Sequence, residues 1–151
     1  MQIFIMRHGE AQAYAHSDQQ RKLTEFGSKQ AKYAGTWLAS HHPDIDIAFV
    51  SPYLRAQETA KLVCNEYATN IERRTLNFIT PESNAKDMHD YLDAIASENK
   101  YQKLIIVSHM PFVSHLVAEL TTNNHMAAFS TADIIQINYS VERMTGEVID
   151  R

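Results

Sequence analysis

The chain has 151 residues, 44% apolar and 21% charged, with a formal net charge of −4. That length predicts one domain spanning 1–151, and the negative balance disfavours broad attachment to nucleic acid or to an anionic membrane surface. A single cysteine, Cys64, excludes an internal disulfide framework.

The first element is an apolar run, Ile3, Phe4, Ile5 and Met6, read as a strand over Gln2–Arg7 covered on both faces. No basic n-region or full apolar h-region precedes it, so it is not read as a secretory signal. No apolar run is long enough for a membrane span, and a reducing cytoplasm is the simplest location. A polar loop follows, "GEAQAYAHSDQQRK". A helix is expected from Glu25, with Thr24 as N-cap and Phe26, Gln30, Ala34, Trp37 and Leu38 on its apolar face.

"IDIAFV" reads as a second strand ending at Val50, and "SPYLRAQETAKLVCNEY" as a helix. Ser51 is expected as its N-cap and Pro52 as its first residue, where proline loses no helical hydrogen bond. Leu54, Ala60, Val63, Cys64 and Tyr67 are expected to face a core. "IERRTLNFI" reads as a third strand. Met88, Tyr91, Leu92, Ile95 and Ala96 then repeat at three- and four-residue steps, which predicts a helix. "KLIIV" is a fourth strand ending at Val107, and Pro111 opens a helix carrying Phe112, Val113, Leu116, Val117 and Leu120. "ADIIQINYS" and "GEVID" read as two last strands joined as a hairpin.

Strand–helix alternation predicts an α/β fold: a three-layer sandwich with a mostly parallel central sheet, helices on both faces and an antiparallel edge. In such sheets sites gather beyond the C-terminal strand ends. Arg7-His8-Gly9 follows the first strand, Ser51-Pro52-Tyr53-Leu54-Arg55 the second, and Ser108-His109-Met110-Pro111 the fourth. If those strands are parallel, two arginines, two histidines and two helix N-termini share one edge.

That set suits a phosphoryl dianion. Guanidinium forks grip phosphate oxygens, helix N-termini offer free N–H groups, and Gly9 lets backbone approach a ligand closely. One imidazole can attack phosphorus while the other stabilises the transferring oxygens. Taken singly, each residue has a plainer reading. His8 could be a solvated strand end, Arg55 a surface arginine and His109 a side chain of a helix start.

At these residues the sequence resembles the histidine phosphatase superfamily. "MRHGEA" is similar to its nucleophile motif, "SPYLRAQETA" to its second arginine motif and "IIVSHMP" to its second histidine motif. "LTEFGSKQA" is similar to the helix after the first loop. Ser17-Asp18, Arg21, Leu23-Thr24 and Gly27, with the short length, resemble the small bacterial phosphohistidine phosphatases of the SixA type.

The resemblance implies that His8 carries the phosphoryl group and that Arg7, Arg55 and His109 complete a catalytic pocket. It implies neither metal nor organic cofactor, and a substrate that is a phosphorylated histidine on a phosphotransfer or phosphocarrier partner. Gly9, Ser51 and Arg21 are candidate substrate contacts, Arg21 being equally readable as a surface arginine. Ser108 is ranked as structural. Many family members place an acidic proton donor after the third strand. Phe78 stands there, and Glu82, four residues on, reads as a solvated carboxylate. An imidazole leaving group needs such an acid less than an alkoxide does. Between Cys64 and Lys103 there is room for one strand and one helix, and none for a cap domain. No His, Cys or carboxylate spacing marks a metal site, His89 and His125 included. A small-molecule phosphomonoesterase and a non-catalytic phospho-partner binding module are the rival functions.

Overall fold

The computed structural model describes residues 1–98, 100–121 and 126–150; His125 lies outside them. The elements run β1 (Gln2–Arg7), α1 (Glu25–His41), β2 (Ile47–Val50), α2 (Leu54–Cys64), β3 (Glu72–Thr75), α3 (Ala85–Ser97), β4 (Lys103–Ser108), α4 (Phe112–Leu120), β5 (Ile134–Ser140) and β6 (Thr145–Asp150). The six strands form one sheet in the order β3-β2-β4-β1-β5-β6. β1, β2, β3 and β4 pair in parallel, whereas β5 runs antiparallel to β1 and β6 to β5.

The apolar runs are continuous because both sheet faces are covered. Ile3 and Ile5 of β1, Ile47 and Phe49 of β2, and Leu104 and Ile106 of β4 share one core with α3 and α4. The alternate residues, Phe4, Met6, Ala48, Val50, Ile105 and Val107, share the other core with α1 and α2. All these side chains are buried. Each large one contributes roughly 1.5–3 kcal/mol relative to exposure, which fixes the strands in place.

Register then sets the site. Arg7 pairs with Ser108 and Val50 with Val107, so β1, β2 and β4 end level with one another. His8, Ser51 and His109 are the next residues on each chain path and meet at one edge. Between α2 and β4, among the described residues, lie only β3 and α3.

Three local expectations are corrected. The helix after β2 starts at Leu54 with Tyr53 as N-cap, not at Ser51-Pro52. Ser51 Oγ accepts the Tyr53 N–H at 3.2 Å in a tight turn instead. Leu54 is exposed. The buried face of α1 is Gly27, Ala31, Ala34, Gly35 and Leu38, whereas Phe26 and Trp37 are 57% and 37% exposed. Small residues win that face because α1 packs closely on its neighbours. Thr24 caps α1 as expected, its Oγ1 accepting the Gly27 N–H at 3.0 Å.

The tightest approach joins the first loop to α1. A Cβ on Gly27 would lie 2.0 Å from the Glu10 carbonyl oxygen, and one on Gly9 would lie 2.5 Å from the Gly27 carbonyl oxygen. Neither glycine has positive φ, so proximity and not backbone handedness requires them. The space at Gly9 thus goes to α1. Gly27→Ala is expected to cost about 2 kcal/mol, the scale of overpacking, and to lower the melting midpoint. A wild-type urea midpoint for that variant would show that the loop and α1 separate freely.

Candidate active site

His8 leaves β1 with its backbone held on two sides. Its N–H donates to the Ser108 carbonyl and its own carbonyl accepts from Ala132, both at 3.0 Å. The ring is buried. Nδ1 lies 2.6 Å from the Gly9 carbonyl oxygen, and the Arg55 Nε–H donates to Nε2 at 3.3 Å. A carbonyl only accepts and a guanidinium only donates. We therefore assign the neutral tautomer with the proton on Nδ1 and the lone pair on Nε2, the atom that faces the pocket cations.

Burial pushes the His8 pKa down to about 4, and the charges of Arg55, Arg7 and Arg21 act in the same direction against the Gly9 hydrogen bond. Nε2 is thus a free base at neutral pH.

Arg55 sits in the first turn of α2 with its side chain 3% exposed. Besides Nε to His8, Nη1 donates to the Asp18 carbonyl at 2.7 Å and Nη2 to Asp18 Oδ2 at 3.2 Å. Thr59, one turn later, donates to the Arg55 carbonyl at 2.7 Å and accepts the Gly9 N–H at 3.1 Å. α2 therefore carries both the guanidinium and the clamp on the residue that holds His8 Nδ1.

His109 follows β4, with its ring centroid 5.0 Å from that of His8. Its Nε2 is 2.7 Å from Ser51 Oγ. We assign the Ser51 hydroxyl proton to this bond, so that Nε2 accepts and the His109 proton lies on Nδ1. Burial, then the neighbouring His8 and arginine charges, lowers the His109 pKa to about 2. Tyr53 lies against both the His109 ring and the Arg55 guanidinium. Arg7 donates from Nη1 to the Phe129 carbonyl at 2.9 Å.

Two buried nitrogens of this pocket, Arg7 Nε and His109 Nδ1, have no hydrogen-bond partner among the described residues. Leaving a buried donor unsatisfied costs about 1–3 kcal/mol. Both are positions at which a bound oxyanion could supply the missing acceptor.

The structure brings Arg7, His8, Arg55 and His109 together. Ser51 is fully buried with its hydroxyl taken by Tyr53 and His109, so it orients the imidazole. Arg21 lies at the mouth, donating to Asp18 Oδ1 at 2.9 Å and the Gln12 carbonyl at 3.0 Å. Ser108 Oγ donates to the Ile79 carbonyl. Phe78 packs on Tyr91, and Glu82 is exposed. The Asp18 clamp on Arg55, the Thr59 link and the Phe129 carbonyl are not read from the sequence. Only Thr59 left a signal, four residues from Arg55 on one helix face.

No group of three or more His, Cys, Asp or Glu among the described residues is placed to hold a metal ion. Among the same residues no helix is long and apolar enough to cross a membrane.

Residues 3–76 match the profile of the Histidine phosphatase superfamily (branch 1). A relative from Haemophilus influenzae, named phosphohistidine phosphatase SixA homolog, is 41% identical over 91% of this chain and 87% of its own. The phosphohistidine phosphatase SixA of Escherichia coli is 34% identical over 91% of this chain and 84% of its own. A solved structure of the protein histidine phosphatase SixA complexed with tungstate superposes with a TM-score of 0.93 at 32% identity, covering 99% of this chain and 94% of that one. Likeness of that degree, over nearly the whole of each chain, reflects common descent: the protein belongs to the histidine phosphatase superfamily.

Proposed function

We propose that the protein is a phosphohistidine phosphatase that acts through a covalent phosphoryl-His8 intermediate. The observation that carries this reading is the placement of the His8 ring, with Nδ1 on the Gly9 carbonyl, Nε2 at the Arg55 Nε–H and the His109 ring centroid 5.0 Å away. The names of the Haemophilus influenzae and Escherichia coli relatives support the substrate class. So does the tungstate complex, because tungstate is a tetrahedral oxyanion like phosphate.

In the first step the Arg55 Nε–H passes its hydrogen bond from Nε2 to a phosphoryl oxygen, the freed Nε2 lone pair attacks phosphorus, and the P–N bond to the partner's imidazole breaks. The bonding pair goes to the departing nitrogen. With its other ring nitrogen protonated beforehand, the partner leaves as neutral imidazole. His8 becomes an N-phosphoimidazolium, and the Gly9 carbonyl at Nδ1 steadies that charge. Arg7, Arg55 and His109 Nδ1–H meet the equatorial oxygens, where preorganised donors are worth most. In the second step water forms the new P–O bond, P–Nε2 breaks with its pair returning to Nε2, and the product departs as dihydrogen phosphate carrying both water protons. The guanidiniums supply the positive charge, so the scheme needs no metal.

The leaving group follows from the carboxylates. Phe78 stands where the family resemblance puts the acid of many members. Asp18, beside the pocket, is pushed up by burial, but hydrogen bonds from Arg21 and Arg55 and their charges outweigh this and lower its pKa. It is a poor proton donor near neutrality. An imidazole leaves without one, whereas an alkoxide does not. We take the substrate to be a histidine displayed on a phosphotransfer or phosphocarrier domain, and we place the enzyme, acting as one unit over 1–151, in the cytoplasm.

A substrate panel tests this. A phosphorylated histidine phosphotransfer domain is expected to exceed sugar phosphates and nucleotides in kcat/KM. Equal or better turnover of a small phosphomonoester would replace the reading with that of a small-molecule phosphatase. Tight binding without turnover would make the chain a binding module. The acid limb of kcat/KM is a further expectation. His8 is active when neutral and is neutral above about pH 4, so activity should persist below the ordinary histidine value of about 6.5. A limb at 6.5 in the pH–rate profile would contradict the lowered His8 pKa.

A further inference from the structure

Asp18 opens a 3-10 turn, Asp18–Gln20, in the long loop between β1 and α1. One residue there meets two guanidiniums. Its backbone carbonyl and Oδ2 accept from Nη1 and Nη2 of Arg55, and its Oδ1 accepts from Nε of Arg21. Arg55 is nearly inaccessible, whereas the Asp18 side chain is 54% exposed. A carboxylate therefore stands at the mouth through which a phosphoryl dianion must come.

Two opposed effects follow. A planar guanidinium whose three nitrogens are all engaged has its plane and edge fixed. Asp18 thereby aims the Arg55 Nε–H at His8 Nε2. The same carboxylate also occupies N–H groups that phosphate oxygens would take, and it repels a dianion. The first effect favours phosphoryl transfer, and the second weakens the hold on free phosphate.

We propose that Asp18 is a positioning residue that keeps Arg55 in line with His8 and, by engaging Arg55 and Arg21, prevents the pocket from retaining inorganic phosphate. This rests on the reading of His8 and Arg55 as a phosphoryl pocket. Slow product release would otherwise follow from gathering Arg7 and Arg55 around one anion with Arg21 at the mouth. The two ends of the loop are anchored without the Asp18 side chain. Ala11 bridges to Leu23, the Gln12 N–H donates to Lys22, the Leu23 N–H donates to Glu58 Oε1, and Thr24 Oγ1 donates to Glu10 Oε1.

The test compares the wild-type chain with Asp18→Ala and Asp18→Asn. Inorganic phosphate affinity is measured by calorimetry. The rate of His8 phosphorylation is measured in single turnover with phosphoramidate, a small P–N donor. Asp18→Ala is expected to bind phosphate about tenfold more tightly and to be phosphorylated about tenfold more slowly. Asp18→Asn keeps an amide oxygen for Arg55 without the charge. It should recover most of the rate while keeping the tighter phosphate binding.

A merely structural residue would weaken both quantities on removal, and an idle exposed ion pair would change neither. Either result, or a change in only one quantity for Asp18→Ala, overturns the inference. A wild-type chain that neither binds phosphate nor accepts a phosphoryl group would instead overturn the proposed function, and this inference with it.

Discussion

His8→Ala is expected to lower turnover of a phosphorylated histidine protein by at least about 10⁴-fold, the scale seen when a covalent nucleophile is deleted. The substitution leaves Arg7, Arg55 and His109 in place. The pocket should therefore still bind inorganic phosphate within a few-fold of wild type, because the donors at Arg7 Nε and His109 Nδ1 still lack protein partners. Binding retained while turnover vanishes separates loss of the nucleophile from collapse of the site. Calorimetry and a steady-state assay on one preparation measure both. Substantial residual turnover would mean that water attacks the substrate directly, with no role for the lone pair on Nε2.

Arg55 carries the second large effect. Arg55→Ala is expected to reduce kcat/KM by about 10³-fold, the upper range for one donor group in a preorganised pocket. The guanidinium does three things at once. It lowers the pKa of His8, directs Nε–H at Nε2, and ties the Asp18 turn to α2. Arg55→Lys should recover little of the loss. A single ammonium on a flexible stem cannot meet His8 Nε2, the Asp18 carbonyl and Asp18 Oδ2 from one plane. The check is kcat/KM for wild type, Arg55→Ala and Arg55→Lys, each with a thermal melt to confirm folding. Near-normal kcat/KM in either variant would remove Arg55 from the pocket's chemistry.

Much of this geometry was legible before any coordinates. The runs at Ile3–Met6, Ile47–Val50 and Leu104–Val107 announce strands buried on both faces, and two cores on either side of the sheet bear this out. Parallel pairing then aligns the strand ends, and the register Arg7 to Ser108 and Val50 to Val107 places His8, Ser51 and His109 side by side. Two of the three corrected details failed for reasons the structure makes plain. Ser51 looks like a helix cap in sequence, but its hydroxyl serves Tyr53 and the buried His109, so α2 begins later. Phe26 and Trp37 look like the core face of α1, but the helix approaches its neighbours through Gly27, Ala31 and Gly35. A Cβ on Gly35 would lie 2.8 Å from Val63 Cα. Close helix contact selects small residues, and apolar periodicity weights large ones.

What sequence does not reveal is the path of the loop over residues 10–24. Asp18 and Arg21 are three apart, a spacing that allows an ion pair, but nothing in the spacing says that Arg55, 37 residues on, completes it. The orientation of His109 is equally hidden. It depends on a serine from another strand end, which only the register brings within 2.7 Å.

The central claim is that Nε2 of His8 takes the phosphoryl group. Rapid quenching with base after mixing with a ³²P-labelled phosphohistidine phosphotransfer domain tests it directly, since an N-phosphoryl bond survives alkali and is lost in acid. The expected result is a transient acid-labile label on this chain that maps to the peptide containing His8 and is missing from His8→Ala. Phosphate release with no labelled enzyme at any quench time, or label on another residue, would contradict it.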